Sequence, residues 1–164
     1  MTRVRRIQET MHSVEDIERF MLLLDSEFKP PLSSYMDVKA FARKVNERAE
    51  ILIVEHVGTI VGLLAFYCND FQTAMAHITY LGVHSEFRRK GIAGELLKEC
   101  VGIAETKGMK TIQVRTWKGN KASSRLYEES GFQKKRECAD RADGSVSIWY
   151  ELSFESNVQE GDNA

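Results

Sequence analysis

The sequence predicts a mixed α/β (α+β) fold, with one central, mostly antiparallel sheet flanked by helices. Three observations carry this. Two helical stripes open the chain. Three apolar runs rich in strand-forming residues follow between positions 51 and 83, separated only by short turns. After Gly91 a helix, a strand and a second helix alternate before a closing hairpin. The 164 residues suit one domain, and no repeat or linker interrupts them. A single domain is therefore expected over 1–154, followed by a disordered acidic tail over 155–164 that carries Glu155, Glu160 and Asp162.

Ser13 and Asp16 have the spacing of a capping box, and Val14, Ile17, Met21 and Leu24 continue from them as a helical stripe. Pro30 and Pro31 stop that helix. A second one follows Asp37, with Val38, Phe41, Ala42 and Val45 on one face. The run Ile51–Val54 turns at Gly58 into Ile60–Tyr67, an antiparallel hairpin. The third strand, Ala76–Val83, changes parity: Ala76 and Ile78 share one face, yet the next strong apolar residues are Leu81 and Val83. One extra residue near Tyr80–Gly82 would restore the pattern, as in a β-bulge. The other reading is a strand buried on both faces, where parity carries no information. A helix spans Gly91–Lys107 and stops at Gly108, Thr111–Thr116 alternates as a strand, and Asn120 caps a helix ending before Gly131. Phe132–Cys138 and Val146–Phe154 close the sheet around Asp143–Gly144.

Composition narrows the partners. The 23 Lys and Arg against 24 Asp and Glu leave a net charge of −1, which argues against a nucleic-acid partner. No apolar run approaches the ~20 residues of a membrane span, and the basic start lacks the apolar stretch of a signal peptide. No membrane partner and a cytoplasmic location are expected. Cys68, Cys100 and Cys138 lie far apart and read as small buried hydrophobes, and no metal site is expected.

Two segments carry chemistry. From Val83 to Gly94 a strand ends, a turn with Arg88, Arg89, Lys90 and Gly91 follows, and a helix begins. Backbone N–H groups and the positive helix end then converge on one point, an anion site. Gly91 and Gly94 leave room for a phosphate to approach the backbone. The second segment, Asn120 to Phe132, has Ser123 three residues and Tyr127 seven residues after Asn120, then Gly131–Phe132. Alone it is a capped amphipathic helix.

As an ordered pair the segments are specific. Arg88-x-x-Gly91-x-Ala93 fits the Q/R-x-x-G-x-G/A pattern of the GCN5-related N-acetyltransferases (GNAT), and the second segment fits that family's later Asn–Tyr–Gly–Phe motif. The chain resembles this superfamily from about Val4 to Phe154. The resemblance implies the GNAT acyl-CoA N-acyltransferase fold, with a bulged strand, and acetyl-CoA as cofactor, leaving as coenzyme A. The pyrophosphate would lie on Arg88, Arg89, Lys90, Gly91, Ile92, Ala93 and Gly94. The pantetheine arm would pair with the bulged strand at Leu81 and Val83. Asn120 and Ser123 would lie on the cofactor side, and Tyr127 would give the departing thiolate its proton. The base position, a Glu on the bulged strand in several members, is His77 here. Water chains serve that purpose in other members.

The implied reaction is direct attack of a primary amine on the thioester, with an oxyanion donor near Val83. The expected acceptor is a small molecule such as an amino sugar, polyamine or antibiotic. The alternatives are a protein or peptide amine, or a non-catalytic acyl-CoA-binding module. The acceptor pocket would come from Leu24–Val45, Cys68–Thr73 and Arg136–Ser147, where Glu27, Tyr35, Asp70, Asp140 and Asp143 could draw in a cationic amine. A homodimer is compatible with the family. Glu55 and Glu86 are further carboxylates that could act as a base but read as surface acids, and His84 reads as lining the cofactor entrance.

Overall fold

The structure, a computed structural model, describes residues 3–154; the expected tail over 155–164 lies outside them. Seven strands form one sheet in the order β1-β2-β3-β4-β5-β7-β6. They are β1 (Val4–Arg6), β2 (Glu50–His56), β3 (Thr59–Tyr67), β4 (Met75–Val83), β5 (Thr111–Trp117), β6 (Gln133–Cys138) and β7 (Ser147–Ser153). Among the described residues only β4 and β5 run parallel. Four helices flank the sheet: α1 (Val14–Leu23), α2 (Val38–Arg48), α3 (Ile92–Thr106) and α4 (Lys121–Glu129). The mixed, mostly antiparallel architecture is the expected one. Strand β1 is an addition, three residues too short to give a periodic signal. No helix among the described residues is long and apolar enough to cross a membrane.

Local chemistry sets the helix ends. Ser13 Oγ accepts from the Asp16 N–H, and Asp16 Oδ2 accepts from the Ser13 N–H at 2.9 Å, so the capping box forms as read. That backbone hydrogen bond is the main reason the Asp16 carboxyl sits below its ordinary pKa. Asp37 caps α2 at the Ala40 N–H. Ile17, Phe20 and Met21 of α1 and Val38, Ala42 and Val45 of α2 pack on one sheet face with Ile51, Ile53, Leu63, Ala65 and Tyr80. The opposite face holds Ala76, Ile78, Val114 and Ile148 under α3 and α4.

The parity change in β4 is a bulge, one residue before the expected interval. Ala65 pairs with Tyr80 and Phe66 with Ile78, leaving Thr79 as the extra residue. Ala76 and Ile78 before it, and Leu81 and Val83 after it, all face the α3 side, while Tyr80 faces α1 and α2. The hydrophobic pattern brackets a bulge but does not fix which intervening residue is unpaired. The closing hairpin also has a longer connection than a tight Asp143–Gly144 turn, since β6 ends at Cys138 and β7 begins at Ser147. Cys68 and Cys100 are buried as expected, but Cys138 is exposed, because every residue of edge strand β6 faces solvent.

Gly62 on β3 sets how closely α3 approaches the sheet. A Cβ there would meet Ile92 Cγ2 at 2.7 Å and Leu96 Cδ1 at 3.2 Å. Leu96 can swing aside, but β-branched Ile92 in the first turn of α3 cannot do so readily. Gly62→Ala is therefore expected to cost about 1 kcal/mol in chemical denaturation. An unchanged midpoint would show that α3 can shift freely.

Candidate active site

The sheet opens between β4 and β5. They pair only where Met75, Ala76 and His77 meet Thr111, Ile112 and Gln113. Beyond that point Ile78–Val83 and Val114–Trp117 run on without each other, leaving β4 an unpaired backbone edge inside the sheet. An extended chain can add to such an edge.

At the end of β4 the backbone turns tightly into α3. Ser85–Phe87 form a 3₁₀ turn, Arg89 has φ +60° and Gly91 has φ +79°, a conformation natural for glycine. Among the described residues no side chain caps α3, and its first i→i−4 bond runs from the Glu95 N–H to the Gly91 carbonyl. The N–H groups of Ile92, Ala93 and Gly94 thus precede the helical ladder and face outward with the positive helix end. A Cβ on Gly94 would meet nothing within 4 Å. An open, uncapped, glycine-lined helix start fits a diphosphate.

Two of the three cations of this turn, Arg88 and Lys90, have partners of their own. Arg88 Nη2 contacts Glu27 Oε2 at 2.6 Å and its Nε donates to the Val83 carbonyl, tying the turn to the segment after α1 and to the end of β4. Lys90 lies over the Phe87 ring and lines a cavity of about 320 Å³ with Arg3, Arg5, His56 and Ile92, on the β1–β2 side of the turn. Arg89 belongs to the strained segment itself. His84 Nδ1 accepts from the Glu86 N–H, so the imidazole caps the 3₁₀ turn.

Asn120 caps α4: its Oδ1 accepts from the Ser123 N–H, and its Nδ2 donates to Thr116 Oγ1 and Ser123 Oγ. The Asn120 and Ser123 side chains thus bond to each other and join α4 to the end of β5. Tyr127 is 3% exposed, packed against Phe132 and Tyr150 in the α3-side core. Burial pushes its phenol far above the ordinary value, and Cys100 and Tyr150 act in the same direction.

His77 sits where the strands part, its ring 6.1 Å from that of Trp149 and its buried Nδ1 without a partner. Burial first, and the Arg115 charge second, hold its pKa below the ordinary imidazole value. It is neutral at pH 7, as a base must be. The unfolded chain then binds a proton near pH 6.5 that the folded chain refuses until lower pH. Stability should fall as pH drops through that window and level off below it. His77→Gln is expected to flatten the melting temperature between pH 7 and pH 5; identical slopes in both proteins would contradict this.

The acids that could attract a cationic amine are engaged elsewhere. Glu27 holds Arg88, Asp70 accepts from the Thr73 N–H and hydroxyl, Asp143 accepts from Ser145, and Asp140 contacts Trp149 Nε1 and Arg115. Tyr35 is exposed. Glu55 contacts Arg5 and His12 near β1.

Sequence reasoning missed an aromatic bridge over the opening. Phe28 stacks on Tyr80 of β4 at 5.2 Å and meets Trp117 of β5 edge-on at 5.9 Å. Arg141, from the β6–β7 connection, lies over Trp117 and donates to the Lys29 carbonyl at 2.8 Å. Only the isolated aromatic residues in the Leu24–Val45 segment hinted at this roof.

A family model described as the Acetyltransferase (GNAT) family matches residues 17–132. A GNAT-family protein from Desulfovibrio desulfuricans superposes with a TM-score of 0.76 at 15% identity, covering 93% of this chain and 99% of that one. The ribosomal-protein-S18-alanine N-acetyltransferase of Escherichia coli does so with a TM-score of 0.73 at 18% identity, over 100% and 99%. The protein yncA of Salmonella typhimurium, described as an acetyltransferase and solved with its cofactor acetyl-CoA, has a TM-score of 0.74 at 15% identity, over 96% of both chains.

Proposed function

This chain belongs to the GNAT family of acetyltransferases, and from that premise we propose that it transfers an acetyl group from acetyl-CoA to the primary amine of a small molecule. Bound acetyl-CoA supplies an activated thioester that an amine can attack directly. Its diphosphate would be held by the N–H groups of Ile92, Ala93 and Gly94, with Arg89 and Lys90 adding positive field. Arg88 acts as a brace, through its contacts with Glu27 and the Val83 carbonyl. The free edge of β4 at Leu81 and Val83 would hold the pantetheine arm, and a backbone N–H near Val83 would donate to the thioester oxygen.

Tyr127 retains its proton throughout the working range because burial disfavours the phenolate. It is the donor to the departing sulfur. Neutral His77, on the opposite face of the split, is the candidate to draw the proton from the attacking amine, directly or through water. Asn120 acts indirectly, by fixing the start of α4.

The observation that favours a small acceptor is the roof. Phe28 spans Tyr80 and Trp117, and Arg141 joins that loop to the β6–β7 connection. Side chains thus bridge the acceptor side, where a peptide would need an open groove. Release of free thiol from acetyl-CoA, followed across a panel of amines and of peptide N-termini, tests this. Turnover of small amines with none of the peptides is expected. Turnover of peptides alone would favour the protein-acetylating alternative, and tight cofactor binding without any turnover would favour an acyl-CoA-binding module.

A further inference from the structure

We propose that the acceptor is an amine that also carries a carboxylate, gripped by Arg115, Arg136 and Arg141 beside the β4–β5 opening. This rests on the acetyl-transfer reading and names the substrate class within it.

Three guanidiniums gather on the sheet face that α1 and α2 leave uncovered. Arg136 lies 4.6 Å and Arg115 5.6 Å from the centre of the Trp149 ring. Arg141 lies 5.7 Å from that of Trp117. A cation over an indole face is held in place there while part of its N–H edge stays available to bind. Arg141 is held further by Nε on the Lys29 carbonyl and Nη1 on Ser147 Oγ. Its Nη2 makes no hydrogen bond among the described residues.

The matching negative charge is small. Asp140 is the carboxylate in contact, 3.4 Å from Arg115, and it also accepts from Trp149 Nε1. Asp143 is turned to Ser145 within the connecting loop. Glu151 lies two residues beyond Trp149 on β7, in the row that runs through Gln113 to His77. Arg141 is half-buried and Arg115 and Arg136 are exposed; neighbouring cations repel one another, and an incoming anion relieves that repulsion. A planar fork matches a carboxylate through two parallel hydrogen bonds.

The cluster is not a second grip on the cofactor phosphates. Arg115 and Trp149 alternate with Val114 and Ile148, which pack beneath α3, so they project from the other face of the sheet. His77 is on that same side, its ring against Trp149 and its buried Nδ1 unpartnered. The unused imidazole nitrogen and the arginines therefore lie on one face of the sheet beside the β4–β5 opening. A polyamine would meet the three guanidiniums there, with Asp140 already in contact with Arg115.

The test compares ω-amino carboxylates of increasing length with their amides and with diamines of the same length. Glucosamine 6-phosphate and glucosamine serve as a phosphate arm. For the full chain with acetyl-CoA, kcat/KM is expected to favour a carboxylate over its amide by about 10- to 100-fold. Arg115→Gln and Arg141→Gln should each erase most of that preference, and Arg141→Lys should retain part of it. Amides or diamines performing as well as the acids would overturn the proposal, as would a preference that survives both glutamine variants. A preference confined to the phosphate arm would overturn the carboxylate assignment. If no amine is acetylated, the acetyl-transfer reading fails on this panel, and the inference is decided by binding alone. Titration of tryptophan fluorescence should then respond to carboxylates and not to amides, the chain having only Trp117 and Trp149. An equal response overturns it.

Discussion

Gly94→Glu should raise the Kd for acetyl-CoA at least 100-fold, about 2.7 kcal/mol, while leaving the protein as stable as before or slightly more so. The opposition of signs is what makes the result informative. A Cβ at Gly94 meets nothing within 4 Å, so the fold has no steric objection to a side chain. A glutamate in the first turn of α3 removes a flexible glycine and places negative charge at the positive helix end. Each change is worth some tenths of a kcal/mol to about 1 kcal/mol in favour of folding. The same carboxylate would stand where Ile92, Ala93 and Gly94 offer their N–H groups, opposing a diphosphate by bulk and by charge. Calorimetric titration with acetyl-CoA beside a thermal melt reads both quantities. A weakened variant that also melts lower would assign Gly94 to the fold. An unchanged Kd would remove the start of α3 from cofactor binding. Gly94→Ala should show the same stability sign with a smaller loss of affinity.

What the sequence made legible follows the range of the interactions. The Ser13–Asp16 capping box, the Asn120 cap and the turn at Gly91 are each settled within about four residues, and each forms as its local pattern predicts. The sheet class follows from period and element order, which are local too. The bulge lies between these cases. Parity detects it, but pairing with β3 decides that Thr79 is the extra residue. Partnerships across the fold were not legible. Glu27 reads as a free acid until Arg88, 61 positions away, takes it, and Arg141 reaches 112 positions back to the Lys29 carbonyl. For that reason a sequence that suggests acids for a cationic amine folds with Arg115, Arg136 and Arg141 gathered beside the β4–β5 opening. Chain separation carries no information about which charges will cancel.

Tyr127→Phe should lower kcat by about 100-fold or more and leave the acetyl-CoA Kd within about 2-fold, as expected for loss of a general acid. The ring keeps its contacts with Phe132 and Tyr150, so the melting temperature should hardly move. Burial enters this prediction with a definite sign. By disfavouring the phenolate it keeps Tyr127 protonated at every pH used for assay, and the pH–rate profile of the natural protein should show no alkaline limb from this residue. The same shift makes the phenol a poorer acid towards a thiolate of ordinary pKa ~8.5. Its contribution is then a hydrogen bond that strengthens as charge gathers on sulfur, and any proton it passes to the thiolate is returned to the phenol from solvent as coenzyme A departs. A viscosity-independent kcat in the variant, against a viscosity-dependent one in the natural protein, would mark the change from product release to chemistry as the slow step. His77 predicts the other limb. Its pKa is lowered, so kcat/KM should rise with pH through a value below 6.5, and His77→Gln should abolish that rise while Tyr127→Phe keeps it. If both variants lose the same limb, the two residues act as one unit across the split; if neither does, an ordered water removes the amine proton and His77 only lines the mouth.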